Sequence, residues 1–228
     1  MPLVDYASSQ GDAYHEAVHQ KFFADRVLVE AWAAFFRHVH FRELPQGVTV
    51  LEIGAGLGIN LLSIKSVAEV YAVEPAEIAR AHCGALGIHV VGELSELPEG
   101  LRFDHVMLCH VLEHLPEPRT MLRAIRPLLK ETGRLLVAVP GESPWAAPDP
   151  HDANHHLYGW SRQTMANLLV DSGYRVVSAT LNWCSGRRVF LPIYRRWGVR
   201  PYAQALHLFG RLRREGEVVI VAQKATEG

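Results

Sequence analysis

The sequence has few cysteines, almost no net charge and no long apolar run. Its 3 cysteines, Cys83, Cys109 and Cys184, are odd in number and widely spaced, which argues against a disulfide framework or a zinc knuckle and fits a reducing compartment. A formal net charge of -1 offers no general attraction to nucleic acid or to an anionic membrane. No stretch approaches the ~20 consecutive apolar residues of a membrane helix, and residues 1–16 lack the basic flank and apolar core of a secretory signal. A cytoplasmic protein without membrane contact is expected. Internal repeats and low-complexity segments are absent too. What is present, 228 residues of which 49% are hydrophobic, is enough to bury about 70% of the extended surface in one sizeable core.

A further absence is more specific. Residues 48–53, VTVLEI, enter the glycine-rich turn Gly54-Ala55-Gly56-Leu57-Gly58, and a second apolar run ends on Glu74. A buried strand followed by a helix period opens a nucleotide-binding βαβ unit. The glycines let the backbone approach a ligand closely, and a carboxylate about twenty residues on is placed to accept hydrogen bonds from ribose hydroxyls. The dinucleotide fingerprint, however, needs a glycine at 59, where this chain has Ile59. A pyrophosphate cradle, and with it a nicotinamide dehydrogenase, is disfavoured.

The residues do match E-x-G-x-G-x-G, from Glu52 to Gly58, followed by Val73-Glu74-Pro75. Further matches come in order: Gly92-Glu93-Leu94, the run from Phe103 through Cys109-His110-Val111-Leu112-Glu113-His114, the strand ending at Pro140, and His156-Leu157-Tyr158-Gly159-Trp160-Ser161. Over roughly residues 45–182 the chain resembles the class I S-adenosylmethionine-dependent methyltransferases. The resemblance implies S-adenosyl-L-methionine as cofactor, with Glu52 toward its amino group and Gly54, Gly56 and Gly58 under its methionine part. It places Glu74 and Pro75 at the ribose, Glu93 and Leu94 at the adenine, and Cys109 and His110 facing the methyl-transfer space.

The expected fold is α/β, a doubly wound, mostly parallel seven-stranded sheet of Rossmann-like type with an N-terminal helical cap over residues 1–45. Strands are read at 48–53, 69–73, 88–92, 103–109, 133–139, 174–182 and 217–222, with helices at 58–68, 76–85 and 117–130 between them. Such alternation puts the ligand outside the carboxyl ends of the strands. In the cap, Leu28, Trp32, Phe35, Phe36 and Val39 fall on one helical face. The methyltransferase domain, residues 46–228, carries two irregular stretches. Residues 140–160 form a candidate substrate loop. Residues 183–214 hold eight arginines and no Asp or Glu, with Val189, Phe190, Ile193, Tyr194 and Trp197 as candidate core.

Methyl transfer from a sulfonium mainly requires alignment, and a base is needed only for a protonated acceptor. His155 is the first candidate base and His110 the second; His114 is read as holding the loop that follows it. His151, His156, Arg187 and Arg195 are candidate acceptor contacts, the arginines because guanidinium binds carboxylate or phosphate bidentately. A metal held by His151 and His155 with Asp149 or Asp152 is conceivable from spacing, but no metal centre is expected. The expected activity is methyl transfer to O, N or C of a small, anionic molecule. A non-catalytic cofactor-binding protein is the alternative, and a nucleic-acid methyltransferase is less favoured because no aromatic-plus-basic binding module is seen.

Overall fold

The computed structural model describes residues 25–142 and 154–225. The expectations for residues 1–24 and for Asp149, His151 and Asp152 fall outside them. In chain order the elements are α1 (Arg26–His40), β1 (Val48–Ile53), α2 (Ile59–Leu62), β2 (Ala68–Val73), α3 (Glu77–Ala85), β3 (His89–Val91), β4 (Phe103–Cys109), α4 (Pro118–Ile125), β5 (Leu129–Pro140), α5 (Arg162–Asp171), β6 (Tyr174–Trp183), α6 (Leu191–Trp197), α7 (Val199–Arg213) and β7 (Gly216–Lys224). The sheet has seven strands in the order β3-β2-β1-β4-β5-β7-β6. Strands β1 to β5 run parallel, and β7 is antiparallel to both β5 and β6.

The central strands read as near-continuous apolar runs because both faces are covered. Alternate residues of one strand divide between two cores. Leu51, Ile53, Val106, Leu108, Val137 and Val139 pack with Leu122, Met165 and Leu169 of α4 and α5. Val50, Met107, Leu136 and Ala138 pack with Phe36, Leu61, Ile64 and Cys83 on the opposite face. Strand order reverses between β1 and β4, which opens a crevice at their carboxyl ends. Because β7 runs antiparallel, its first residues also lie there, with Glu217 opposite Pro140.

Helix α1 is started by the Asp25 side chain, which accepts from the Leu28 amide at 3.2 Å, a cap worth about 1 kcal/mol. Its buried face is Leu28, Ala31, Ala33, Phe35 and Phe36. Val39 is 38% exposed and leaves the expected stripe, in the last turn of the helix. Leu28, Ala31 and Phe35 form a third core with Cys184, Leu191, Tyr202 and Leu206, so the cap and the 183–214 stretch are packed as one layer. That stretch is two helices, α6 and α7. Phe190, Ile193 and Tyr194 pack on the third core, whereas Val189 and Trp197 are 66% and 64% exposed and are corrected from core to surface.

Other boundaries move for local reasons. The helix expected at 58–68 is regular only over Ile59–Leu62, since Gly58 must leave the turn in a left-handed conformation, φ 75. Pro75 is not the first helical residue; Ala76 caps α3 and Glu77 opens it. Helix α4 stops at Ile125 because Pro127 lies in the short 3-10 turn Arg126–Leu128 that follows.

Candidate functional site

The site begins at the carboxyl end of β1. Glu52 is 1% exposed and its Oε1 accepts from Asn60 Nδ2 at 2.7 Å. Among the described residues its Oε2 is buried with no hydrogen-bond partner. Burial raises its pKa to about 8, against the Asn60 hydrogen bond and with help from the charge of Glu74. The partner is an amide rather than an arginine, so the carboxyl has nothing cationic beside it that would hold it ionised.

Gly54, Gly56 and Gly58 all have positive φ, at 66, 51 and 75. The protein's own packing also demands Gly54 and Gly58, since a Cβ on Gly54 would stand 2.6 Å from Val111 Cγ2 and one on Gly58 2.7 Å from Ile88 Cδ1. Glu74, 3% exposed, accepts from the Gly56 amide at 2.7 Å and from the Ala76 amide at 2.9 Å. This ties the turn after β1 to the end of β2. Pro75 offers its carbonyl to Arg80 Nη1 at 2.7 Å. Glu93 is exposed and caps the 3-10 turn Leu94–Glu96, while also accepting from Ser95 Oγ at 2.6 Å. Leu94 packs on the first core.

On the other side of the crevice, β4 ends at Cys109. Burial, then the charges of Glu52, Glu217 and Glu113, hold its thiol well above the usual range, which disfavours a nucleophilic thiolate there. The next residue, His110, is one of three non-glycine residues with positive φ among the described residues. Its backbone amide is bonded to Ala138 O at 2.8 Å, and its ring lies between two acids. Nε2 is 3.1 Å from Glu217 Oε1 and Nδ1 is 3.4 Å from Glu113 Oε1. Burial works against a charged ring, but the two carboxylates outweigh it and lift the imidazole to about 9. Burial likewise works against an ionised Glu217, yet its hydrogen bond to His110 and the nearby cationic charges bring it to about 2.

Arg187 joins this cluster from the end of β6. Its Nη2 is 3.8 Å from Glu217 Oε1, and its guanidinium stacks 3.5 Å over the Trp32 ring of α1. Asn182 Nδ2 reaches Glu217 Oε2 at 3.4 Å. Arg195 stands exposed in the last turn of α6, and these contacts do not include it. Residues 154–160 seat on the loop after β4 through the Leu157 amide and Glu113 O, at 2.7 Å. His155, at φ 51, engages the His114 side chain with its backbone. His156 pairs through Nδ1 with Glu142, and its ring lies 4.9 Å from that of His114.

The structure thus gathers Glu52, the three glycines and Glu74 on one side, and Cys109, His110, Arg187 and residues 155–156 on the other. Three members were missed from sequence: Asn60, Glu113 and Glu217. Glu217 carried a readable signal, an acid opening the apolar run EVVIVA.

A family model described as a methyltransferase domain matches residues 14–179. This chain belongs to the class I S-adenosylmethionine-dependent methyltransferases. The methyltransferase is 32% identical over 120 residues to a ubiquinone biosynthesis O-methyltransferase of Xanthomonas axonopodis pv. citri, a match covering 48% of this chain and 50% of that protein. It is 35% identical over 101 residues to the Proteus mirabilis protein of the same name, covering 39% and 40%. It therefore spans about half the length of the curated relatives it matches. Among solved structures, the 1,6-didemethyltoxoflavin-N1-methyltransferase of Burkholderia thailandensis aligns over 96% of this chain and 87% of its own, with a TM-score of 0.60 at 20% identity. That likeness is one of fold. No helix among the described residues is long and apolar enough to cross a membrane.

Proposed function

We propose that this methyltransferase acts on an oxygen of a small, negatively charged acceptor. The observation that carries the cofactor half of the reading is Glu52 Oε2, buried and without a partner beside a glycine turn of left-handed backbone. A buried carboxyl without a counter-charge is costly, and the cofactor's α-ammonium is the counter-charge that would satisfy it. Glu52, oriented by Asn60, would hold that ammonium. Gly54, Gly56 and Gly58 leave room for the methionine part. Glu74 would accept from the ribose hydroxyls, Pro75 fixing its exit from the strand. Glu93 and Leu94 would border the adenine.

When bound, the cofactor supplies a methyl group activated by its sulfonium. The chain's task is then to hold an acceptor lone pair in line and to keep water out, which can contribute about 7–11 kcal/mol at the upper end. Cys109 would form an apolar wall and His110 would border the methyl-transfer space. Arg187, braced by Trp32 and only loosely held by Glu217, offers its guanidinium to an acceptor anion. As the O–CH3 bond forms, an acceptor hydroxyl must lose its proton, and we assign His155 to receive it because its segment is seated on the loop after β4. Oxygen is favoured over nitrogen or carbon by the O-methyltransferase relatives.

The test is to incubate the protein with S-adenosylmethionine labelled in the methyl group and a cell extract, then identify the labelled product by mass spectrometry. The expected product is a small methyl ether or ester whose precursor bears a carboxylate, phosphate or acidic hydroxyl. Label in RNA, DNA or protein would overturn the reading. Tight cofactor binding without any labelled product would support a non-catalytic cofactor-binding role.

A further inference from the structure

We propose that Glu217 is a positioning residue: through its Oε1 it fixes the His110 ring and draws in the Arg187 guanidinium, so that two cations face the crevice and select an acceptor that carries negative charge. The inference rests on the methyl-transfer reading above and adds to it the group that orders the acceptor side.

The hydrogen-bonding capacity of the ring decides its charge. His110 Nε2 is 3.1 Å from Glu217 Oε1, and Nδ1 is 3.4 Å from Glu113 Oε1. A neutral imidazole has one N–H and one lone pair, so it would turn that lone pair on one of the two carboxylates. Only the imidazolium offers a proton to both. A ring in that state has no lone pair with which to take a further proton, and His110, the second candidate base from sequence, is corrected to a fixed cation.

The same Glu217 oxygen stands 3.8 Å from Arg187 Nη2. The side chains of Glu113 and Glu217 are 0% and 8% exposed, whereas those of His110 and Arg187 are 43% and 38% exposed. Four charges nearly cancel, yet the acids are covered and the cations are open, so a ligand entering at the strand ends meets positive charge. Neighbouring groups leave that charge standing. Burial lowers the pKa of His40 on α1 and of His114, which keeps both rings neutral. Burial, and then the charge of Glu217, push the Cys184 thiol up to about 12. It stays protonated.

Glu217 is also built to hold still. Its strand is paired on both sides, with Glu217 opposite Pro140 of β5 and Asn182 of β6, and a Cβ on the preceding Gly216 would stand 2.6 Å from Asn182 O. Asn182 Nδ2 reaches its other oxygen at 3.4 Å. The carboxylate so placed bridges residues that follow β4 and β6. Arg187 keeps donors to spare for a carboxylate, phosphate or ionised hydroxyl; His110, with both N–H groups engaged, contributes its charge.

The experiment uses the full-length protein labelled with 15N in its histidines, alongside Glu217→Gln and Glu217→Asp, with His110→Gln to assign the ring signals. At pH 8 the wild-type His110 ring should be about nine-tenths protonated, in line with a pKa of about 9. In Glu217→Gln about half or more should be neutral, as loss of one close opposite charge implies, and Glu217→Asp should restore most of the protonation. With the acceptor identified by methyl labelling, Glu217→Gln should raise its KM at least about ten-fold at pH 8 with kcat within about two-fold. Glu217→Asp should recover most of that loss, and affinity for S-adenosylhomocysteine should be the same in all three proteins. Circular dichroism checks folding; if Glu217→Gln does not fold, the wild-type ring decides, a charged ring supporting the proposal and a neutral one overturning it. A ring whose state is the same in wild type and folded Glu217→Gln also overturns it, as does an unchanged acceptor KM. Absence of methyl transfer by the wild-type protein counts against the proposed function instead, and the ring signals then decide this inference.

Discussion

The two sides of the crevice meet at the carboxyl ends of the central strands, yet they are assembled in opposite ways. On the proposed cofactor side, Glu52, the glycines, Glu74 and Glu93 come from one continuous stretch, and each is fixed by neighbours in that stretch. Asn60 holds Glu52, and Glu74 holds Gly56. On the proposed acceptor side, His110, Glu142, His156, Arg187 and Glu217 come from separate segments; His110 and Glu217 are 107 residues apart in sequence. A site built from local bonds is preorganised by a single βαβ unit. One built from distant segments depends on the whole sheet, the antiparallel β7 above all. The first is therefore expected to be tolerant of changes elsewhere, the second to be sensitive to them.

That comparison can be broken at either side, and the largest effect belongs to the cofactor turn. Gly56→Val puts a β-branched residue at φ 51, a conformation it strongly disfavours. It should lower affinity for S-adenosylhomocysteine at least about a hundred-fold while leaving the circular dichroism spectrum intact, because the turn is exposed to ligand and not to the core. Normal binding, measured by calorimetry, would remove the turn from the cofactor site. On the acceptor side, His155→Gln should lower kcat by about 10²-fold or more if it receives the proton, with cofactor affinity unchanged. Wild-type turnover in that variant would separate residues 154–160 from the chemistry.

Glu74→Ala should weaken S-adenosylmethionine and S-adenosylhomocysteine alike by roughly 1.5–3 kcal/mol, the cost of losing hydrogen bonds to a charged group; equal calorimetric affinities would take Glu74 out of the ribose role. The smallest effect is sought at Arg187. Replacing it by Ala should raise the acceptor KM about ten-fold with little change in kcat, since an anion would lose its clamp before chemistry. Silence there in steady-state kinetics would reduce the α6–α7 layer to a structural cover.

How much could be read from the chain follows the same division. The seven strands, the crevice and the candidate residues lining its β1–β2 side were legible because βαβ periodicity, a glycine turn and an acid at a strand end are local patterns. Asn60 was missed only because an amide in the first turn of a short helix has no distinctive signature. Glu217 was illegible as a partner of His110, because nothing in the sequence states that β7 enters between β5 and β6 in reverse. Val189 and Trp197 misled for a related reason. Their apolar character fits a buried helix face, but α6 is only seven residues long and its inner side is filled by Leu191, Ile193 and Tyr194 against α1 and α7.

The central claim is that Glu52 is held without a counter-charge until the cofactor supplies one. Its pKa in the folded chain, about 8, lies above the ordinary 4.5, so the folded protein keeps a proton that the unfolded chain releases. The associated stability is fully present below pH 4.5 and is lost as pH rises to 8. Without ligand, Glu52→Gln should match wild type near pH 5 and exceed it by about 1–3 kcal/mol near pH 8.5 in denaturant titrations, after allowance for relaxation around the buried acid. The most direct measurement is the affinity for S-adenosylhomocysteine from pH 6 to 8, in wild type and in Glu52→Gln. An ammonium that binds the ionised carboxylate displaces its proton, so wild-type affinity should rise with pH by up to about ten-fold per unit, whereas the variant should bind more weakly and without that slope. A flat wild-type profile, or a variant that binds as tightly as wild type at pH 8, would contradict the account.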